Sequence, residues 1–204
     1  MVFDLDGTLN QTENYALPAM REGLHDLGFT HISDEEILRS YGASDEDTNQ
    51  VFFGDKADQY AEIFWKKASE YVESRYADKY STFPHVTEML EKLKDRGWTL
   101  AICSNAESEA AVIRTAQKLK ISHLIDYYQS LDGWDNKDNS LRALLQLVQP
   151  DKAIMVGDRF YDKDAAAFNH IPFAACLYGY GEQEELAGAD FMLTEPLDLL
   201  NYEE

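Results

Sequence analysis

The sequence has few cysteines, few basic residues and no long apolar run. Its two cysteines, Cys103 and Cys176, lie inside short apolar stretches that predict buried strands, so we expect reduced thiols rather than a disulfide framework. No window approaches the roughly 20 consecutive apolar residues that a membrane-spanning helix needs. No positively charged segment precedes an apolar one at the first residues, as it would in a secretory leader. We therefore expect a soluble, cytoplasmic protein.

Basic residues are scarce relative to acidic ones. Lysine and arginine together number 18 against 38 aspartates and glutamates, which gives a formal net charge of -20. This charge repels nucleic acid phosphates and acidic membrane surfaces, so we expect neither partner. It would repel a small anion too. A phosphate site would therefore need its own cation: a metal ion, a lysine or the amides of a helix N-terminus.

From about residue 84 onward, predicted strands and helices alternate. Val86, Met89, Leu90 and Leu93 have helical spacing. The apolar runs at residues 99–103, 153–156 and 172–177 predict strands, and helices are expected at about 109–119, 141–148 and 162–168. Such alternation predicts an α/β fold with a Rossmann-like parallel sheet and right-handed crossovers. Ligands bind at the carboxyl ends of such strands. The residues expected to converge there are Asp4, Asp6, Ser104, Asn105 and Asp158.

The segment 14–80 has helix signals and no apolar strand run. Leu17, Met20 and Leu24 form a helical stripe, and Ser33 with Glu36 predicts a capping box. We interpret this segment as an all-helical cap inserted into an α/β core formed by residues 1–13 and 81–204. The connections near 10–14 and 78–83 would be the hinge, and the loop at 41–43 is a candidate contact for the leaving group of a substrate.

The opening MVFDLDGTLN places two carboxylates, Asp4 and Asp6, at the end of an apolar run. A carboxylate at a strand end can attack phosphorus, and a second one can protonate a leaving oxygen and then deprotonate water. Two residues apart, they point the same way only if the chain turns at once, which Gly7 permits. The alternative reading is a strand followed by an ordinary Asx turn.

Four separated motifs together resemble the haloacid dehalogenase-like hydrolases. They are DLDGTL at 4–9, ICSN at 102–105, Lys137, and VGDRFYD at 156–162. The first and last are highly specific, and the order of all four fits the family along essentially the whole chain. Only three residues precede Asp4, fewer than family members commonly have. We therefore expect either an unusually short first strand or a chain that starts late.

The resemblance implies a Mg²⁺ site and a covalent mechanism. Asp4 would be the nucleophile and a metal ligand, Asp6 the general acid and base with its main-chain carbonyl on the metal, and Asp158 a further ligand. A small hard cation suits such a set of oxygens. Asp162 would ligate the metal or orient its waters, although an acidic residue in a first helical turn also favours the helix dipole.

The resemblance also implies how the phosphate would be bound. Ser104 and Lys137 would contact the phosphoryl group, and Asn105, Gly7 and Thr8 would shape its cradle. A serine at a strand end is often only a cap, and an isolated lysine is often only solvated. Lys152 is the rival lysine, but it precedes a predicted strand and should lie at the opposite end of the sheet.

This resemblance implies a phosphatase that acts on a small-molecule phosphate ester through an aspartyl-phosphate. Haloacid dehalogenases themselves lack the carboxylate at the position of Asp6. The stretch at 177–191 resembles that of phosphoglycolate phosphatase-like members, which favours hydrolysis. A sugar phosphomutase is the alternative, and a catalytically silent binding protein is a further one; several buried charges held together argue against the latter.

Overall fold

A parallel sheet forms the centre of the α/β part of the chain. The computed structural model describes residues 1–106 and 108–202. Within these residues the six strands are β1 Val2–Phe3, β2 Ala101–Cys103, β3 Tyr127–Gln129, β4 Met155–Gly157, β5 Phe173–Cys176 and β6 Phe191–Leu193. Their order is β3-β2-β1-β4-β5-β6, and all neighbouring pairs are parallel. The predicted fold class is confirmed.

The sheet order reverses at β1, and this reversal locates the site. From β1 the chain adds β2 and β3 on one side, then returns to add β4, β5 and β6 on the other. Phe3 pairs with Ile102 of β2 and with Val156 of β4. A crevice forms at the carboxyl ends of strands where the winding reverses. The residues that follow β1, β2 and β4 therefore lie side by side at the edge of the sheet where this crevice forms.

In the described part of the α/β unit, four α-helices pack around this sheet. They are α5 Val86–Asp95, α6 Glu109–Lys118, α7 Lys137–Val148 and α8 Phe160–Phe168. Each buries one apolar face, as Met89, Leu90 and Leu93 do in α5. Leu141 and Leu144 of α7 pack in one buried cluster with Val2 and Met155 of the sheet. These contacts fix the positions of β1 and β4, the two strands that precede Asp4 and Asp158.

The chain divides into two compact units. One comprises Met1–Asn10 with the chain from Thr82 onward, and the other is Gln11–Ser81. At the ends of the second unit, the Gln11 N–H donates to the Ser81 carbonyl at 2.9 Å. In the first unit, Asn10 and Thr82 form an antiparallel bridge. Assigning the second unit as a cap, and these connections as its hinge, stays a prediction.

The second unit is helical and has a core of its own. Its helices are α1 Ala16–Asp26, α2 Asp34–Arg39, α3 Asp45–Phe53 and α4 Ala57–Tyr71. The ring of Phe64 in α4 packs edge-to-face on Phe52 and Phe53 at centroid distances of 5.7 and 5.4 Å. The Ser33–Glu36 capping box at the start of α2 is confirmed. Among the described residues of the chain, no helix is both long and apolar enough to cross a membrane.

Candidate active site

Asp4 is the central residue of the crevice. It follows β1 directly, and its N–H donates to the Val156 carbonyl of β4 at 2.8 Å, which fixes its backbone. Its side chain is buried, and Oδ1 accepts from Lys137 Nζ at 2.5 Å. Within the described residues, Asp4 Oδ2 is a buried oxygen with no hydrogen-bond partner. A buried carboxylate oxygen without a partner is costly unless it meets a ligand.

Lys137 is the cation of the site. It is the first residue of α7, a helix that Asn136 caps by accepting from the Asn139 N–H at 3.1 Å. Its Nζ lies 2.5 Å from Asp4 Oδ1 and 2.6 Å from Asp162 Oδ1, with the side chain only 3% exposed. Burial lowers the pKa of Lys137, but Asp162 and Asp4 raise it, and the balance lies well above the usual lysine range. Lys137 therefore stays charged.

Asp158 follows β4 and is held by two donors from separate parts of the α/β unit. Its Oδ1 accepts from the Thr8 hydroxyl at 3.0 Å, and its Oδ2 accepts from the Tyr180 N–H at 2.8 Å. Gly7 makes this approach possible: its φ is +84°, and a Cβ there would lie 2.2 Å from Asp158 Oδ2. The turn after β1 thus needs glycine for two reasons: its positive φ, and the close approach of the Asp158 carboxylate.

Asp162 lies in the first turn of α8, which begins at Phe160, two residues before the predicted start. Its Oδ2 accepts from the N–H groups of Asp158 and Arg159 at 3.1 and 3.0 Å. Its Oδ1 faces Lys137. The carboxylate thus caps the helix and also orients the lysine and the backbone of Asp158. An acidic residue in this first helical turn also favours the helix dipole, and its expected role toward a metal ion stays a prediction.

Three of these carboxylates could hold a cation. Asp4, Asp158 and Asp162 each offer an oxygen, and these oxygens lie within 4.8 Å of one another. Burial raises the pKa of Asp4 to about 7, against the attraction of Lys137. Burial, and then Asp4 and Asp162, raise the pKa of Asp158 well above its usual range. One lysine does not balance three buried carboxylates, so the donor set and the unpartnered Asp4 Oδ2 fit a small divalent ion.

The remaining predicted residues lie around this cluster. Asp6 is half-buried, and its Oδ1 accepts from the Asn10 side chain at 2.8 Å. Ser104 is buried at the end of β2, where its Oγ accepts from the Ala106 N–H at 3.2 Å, and Asn105 beside it is half-buried. The N–H groups of Gly7 and Thr8 donate inside the turn, to Asn10 and Leu5 carbonyls. Those two amides are therefore used by the turn itself.

Lys152 lies at the far end of β4 from the acidic cluster, whereas the β5–β6 connection contacts Asp158. Lys152 is exposed and precedes β4, at the end of that strand opposite to Asp158. The Tyr180 N–H donor to Asp158 had no part in the sequence prediction. The nearby glycines Gly179 and Gly181 were its only signal, since they allow a backbone to approach another closely.

Comparisons with known proteins show which family the chain belongs to. Residues 1–176 match the family described as haloacid dehalogenase-like hydrolase. The chain belongs to this family. A phosphoglycolate phosphatase of Aquifex aeolicus is 28% identical over 211 residues, covering 98% of this chain and 94% of that protein. Pyrophosphatase PpaX of Bacillus pumilus is 26% identical, covering 98% and 94%.

A solved haloacid dehalogenase-like structure shows the same fold. The hydrolase SP0104 from Streptococcus pneumoniae superposes with a TM-score of 0.84 at 24% identity, covering 98% of this chain and 95% of that one. This structure shows the fold alone, and the family match over residues 1–176 confirms the resemblance that the four sequence motifs indicate.

Proposed function

We propose that this haloacid dehalogenase-like hydrolase is a Mg²⁺-dependent phosphatase that works through an aspartyl-phosphate on Asp4. The proposal depends on the environment of Asp4 Oδ2. It is buried at the carboxyl end of the central strand and has no hydrogen-bond partner among the described residues, while Lys137 occupies the other oxygen at 2.5 Å. Such an oxygen is oriented and desolvated, as a nucleophile must be.

The proposed reaction has two steps. Asp4 Oδ2 attacks phosphorus, the bond from phosphorus to the leaving oxygen breaks, and Asp6 gives that oxygen a proton. Asp6 then takes a proton from water as the water attacks phosphorus, the bond to Asp4 breaks, and inorganic phosphate leaves. Asn10 holds the Asp6 carboxylate by its 2.8 Å hydrogen bond, which fixes the direction of the acid.

Positive charge for the transferring group would come from two sources. Lys137, buried and charged, lies on the nucleophile itself. Asp4, Asp158 and the Asp6 main-chain carbonyl would hold Mg²⁺, which when bound supplies charge stabilisation to the phosphoryl oxygens. We propose that Asp162 orients this site through Lys137 and the Asp158 amide, since both its oxygens already face donors. Ser104 and Asn105 are proposed to bind the phosphoryl group, which Gly7 and Thr8 would border.

The proposed substrate is a small phosphate monoester. The Aquifex relative is named a phosphoglycolate phosphatase, and the Bacillus relative a pyrophosphatase, so pyrophosphate is the second candidate. Transfer to water is favoured over a phosphomutase reaction, because both names describe hydrolysis.

A hydrolysis screen tests the proposal. Phosphate release is measured with Mg²⁺ over a panel containing phosphoglycolate, sugar phosphates, nucleoside monophosphates and pyrophosphate. We expect release from at least one monoester, lost on adding a chelator and in Asp4→Asn. Release that survives Asp4→Asn would overturn the mechanism, and release from pyrophosphate alone would move the substrate to that class.

A further inference from the structure

The β5–β6 connection, residues 177–190, lies directly on Asp158 but has no helix or strand of its own. A Cβ on Gly179 would lie 2.3 Å from Asp158 Cβ, and a Cβ on Gly181 would lie 1.8 Å from the Asp158 carbonyl oxygen. The connection also provides the Tyr180 N–H that Asp158 Oδ2 accepts at 2.8 Å. Something other than regular secondary structure must keep this backbone in place.

Glu185 supplies that fixation. Its Oε1 accepts from Arg159 Nε at 2.8 Å, with the two side chains 22% and 11% exposed. Its backbone carbonyl accepts from Lys163 Nζ. Both donors belong to the start of α8, and the next residue, Leu186, is fully buried in the core cluster of the sheet. Partial burial and two donors make this contact stronger than an exposed surface pair.

Arg159 joins the connection to the acidic cluster through its own backbone. It follows Asp158 directly, and its N–H donates to Asp162 Oδ2 at 3.0 Å. Its side chain donates to Glu185, and the Tyr180 N–H donates to Asp158. The two hydrogen bonds, Arg159 to Glu185 and Tyr180 to Asp158, thus anchor the connection at two points, and the backbone from 180 to 185 joins them.

We propose that the Arg159–Glu185 pair is a positioning device for Asp158. By fixing the connection, the pair keeps the Tyr180 N–H on Asp158 Oδ2 and so sets the direction of the carboxylate toward a divalent ion. Neither residue contacts substrate in this account, and both act through Asp158. The inference rests on the proposed Mg²⁺ site. Outer residues that orient metal ligands typically change metal affinity about 10–100-fold when replaced.

The test measures Mg²⁺ binding to the full, metal-free chain by calorimetry. Glu185→Gln should raise the Mg²⁺ Kd about tenfold. Glu184→Gln is the matched control, since Glu184 is an exposed neighbour and the same charge is lost; its Kd should equal that of the wild type. Arg159→Gln should weaken binding similarly, and combining it with Glu185→Gln should add little further, because both changes break the same contact.

A second measurement tests, without metal, whether the β5–β6 connection is held in place. In the metal-free chain, amide exchange at Tyr180 should be faster in Glu185→Gln than in Glu184→Gln. An equal Kd and equal Tyr180 exchange in these two variants would overturn the positioning role while leaving the proposed function intact. A wild type that binds no Mg²⁺ would instead overturn the proposed metal site, and the positioning role with it.

Discussion

The excess of buried negative charge around Asp4 should make the metal-free protein less stable as pH rises. The pKa of Asp4 is about 7 in the folded protein, against 3.8 for an ordinary aspartate, with burial as the main cause. A folded-state pKa above the unfolded one gives stability that is complete at low pH and is lost as pH rises through about 7. Asp4→Asn removes this proton-linked loss and leaves Lys137 paired with Asp162.

The size of the effect follows from the pKa. Each pH unit between about 5.5 and 7 reduces the free energy of unfolding by about 1.4 kcal/mol, so the loss between about pH 5.5 and pH 8 is about 2 kcal/mol. For a chain of 204 residues this corresponds to a fall in Tm of about 4–8 °C. Mg²⁺ at about 100 times its Kd should restore about 2.7 kcal/mol at the higher pH.

The fall in Tm is measured by thermal unfolding of the metal-free protein, followed by circular dichroism at both pH values. Other carboxylates also titrate, so the informative quantity is the Tm of the wild type minus that of Asp4→Asn. That difference should fall by about 4–8 °C from about pH 5.5 to pH 8. Asp95→Asn, which removes an exposed carboxylate, is the control and should show no such change. If that difference stayed constant or rose between about pH 5.5 and pH 8, the electrostatic reasoning would be wrong.

Three further predictions concern individual residues. Lys137→Met should destabilise the metal-free protein by about 3–5 kcal/mol in urea unfolding, because it leaves buried carboxylates without their cation; a change within error would contradict the buried pair. Gly7→Ala should abolish measurable Mg²⁺ binding in calorimetry, because its Cβ would overlap Asp158 Oδ2; wild-type affinity would refute the close approach. Burial raises the pKa of Cys103 to about 11 and also raises that of Cys176, so neither thiol should react with a disulfide reagent before unfolding, and fast labelling of the native chain would oppose this.

The centre of the sheet could be predicted from the sequence, but its edges could not. Strands β2, β4 and β5 are buried apolar runs, which give a strong signal. The edge strands β3 and β6 are not buried runs: β3 is exposed or half-buried throughout, and two of the three residues in β6 are exposed. Half-exposed strands form through pairing with a neighbour, and a single segment does not show this.

The candidate site shows the same division. The sequence indicated that Asp4 and Asp158 would meet, because both follow strands whose ends adjoin in a parallel sheet. It did not indicate which donors satisfy them. The contact between Arg159 and Glu185 joins residues 26 positions apart, and the Tyr180 amide belongs to an irregular connection. Such contacts depend on how the chain returns after β5, and local periodicity does not encode that path.

The central claim is that Asp4 becomes covalently bonded to phosphorus beside a divalent ion. A crystal structure with Mg²⁺ and beryllium fluoride, a mimic of an acyl phosphate, tests it most directly. We predict beryllium bonded to Asp4 Oδ2, with the ion between Asp4 and Asp158. Beryllium fluoride bonded to another side chain, or an ion that does not contact Asp158, would contradict the account.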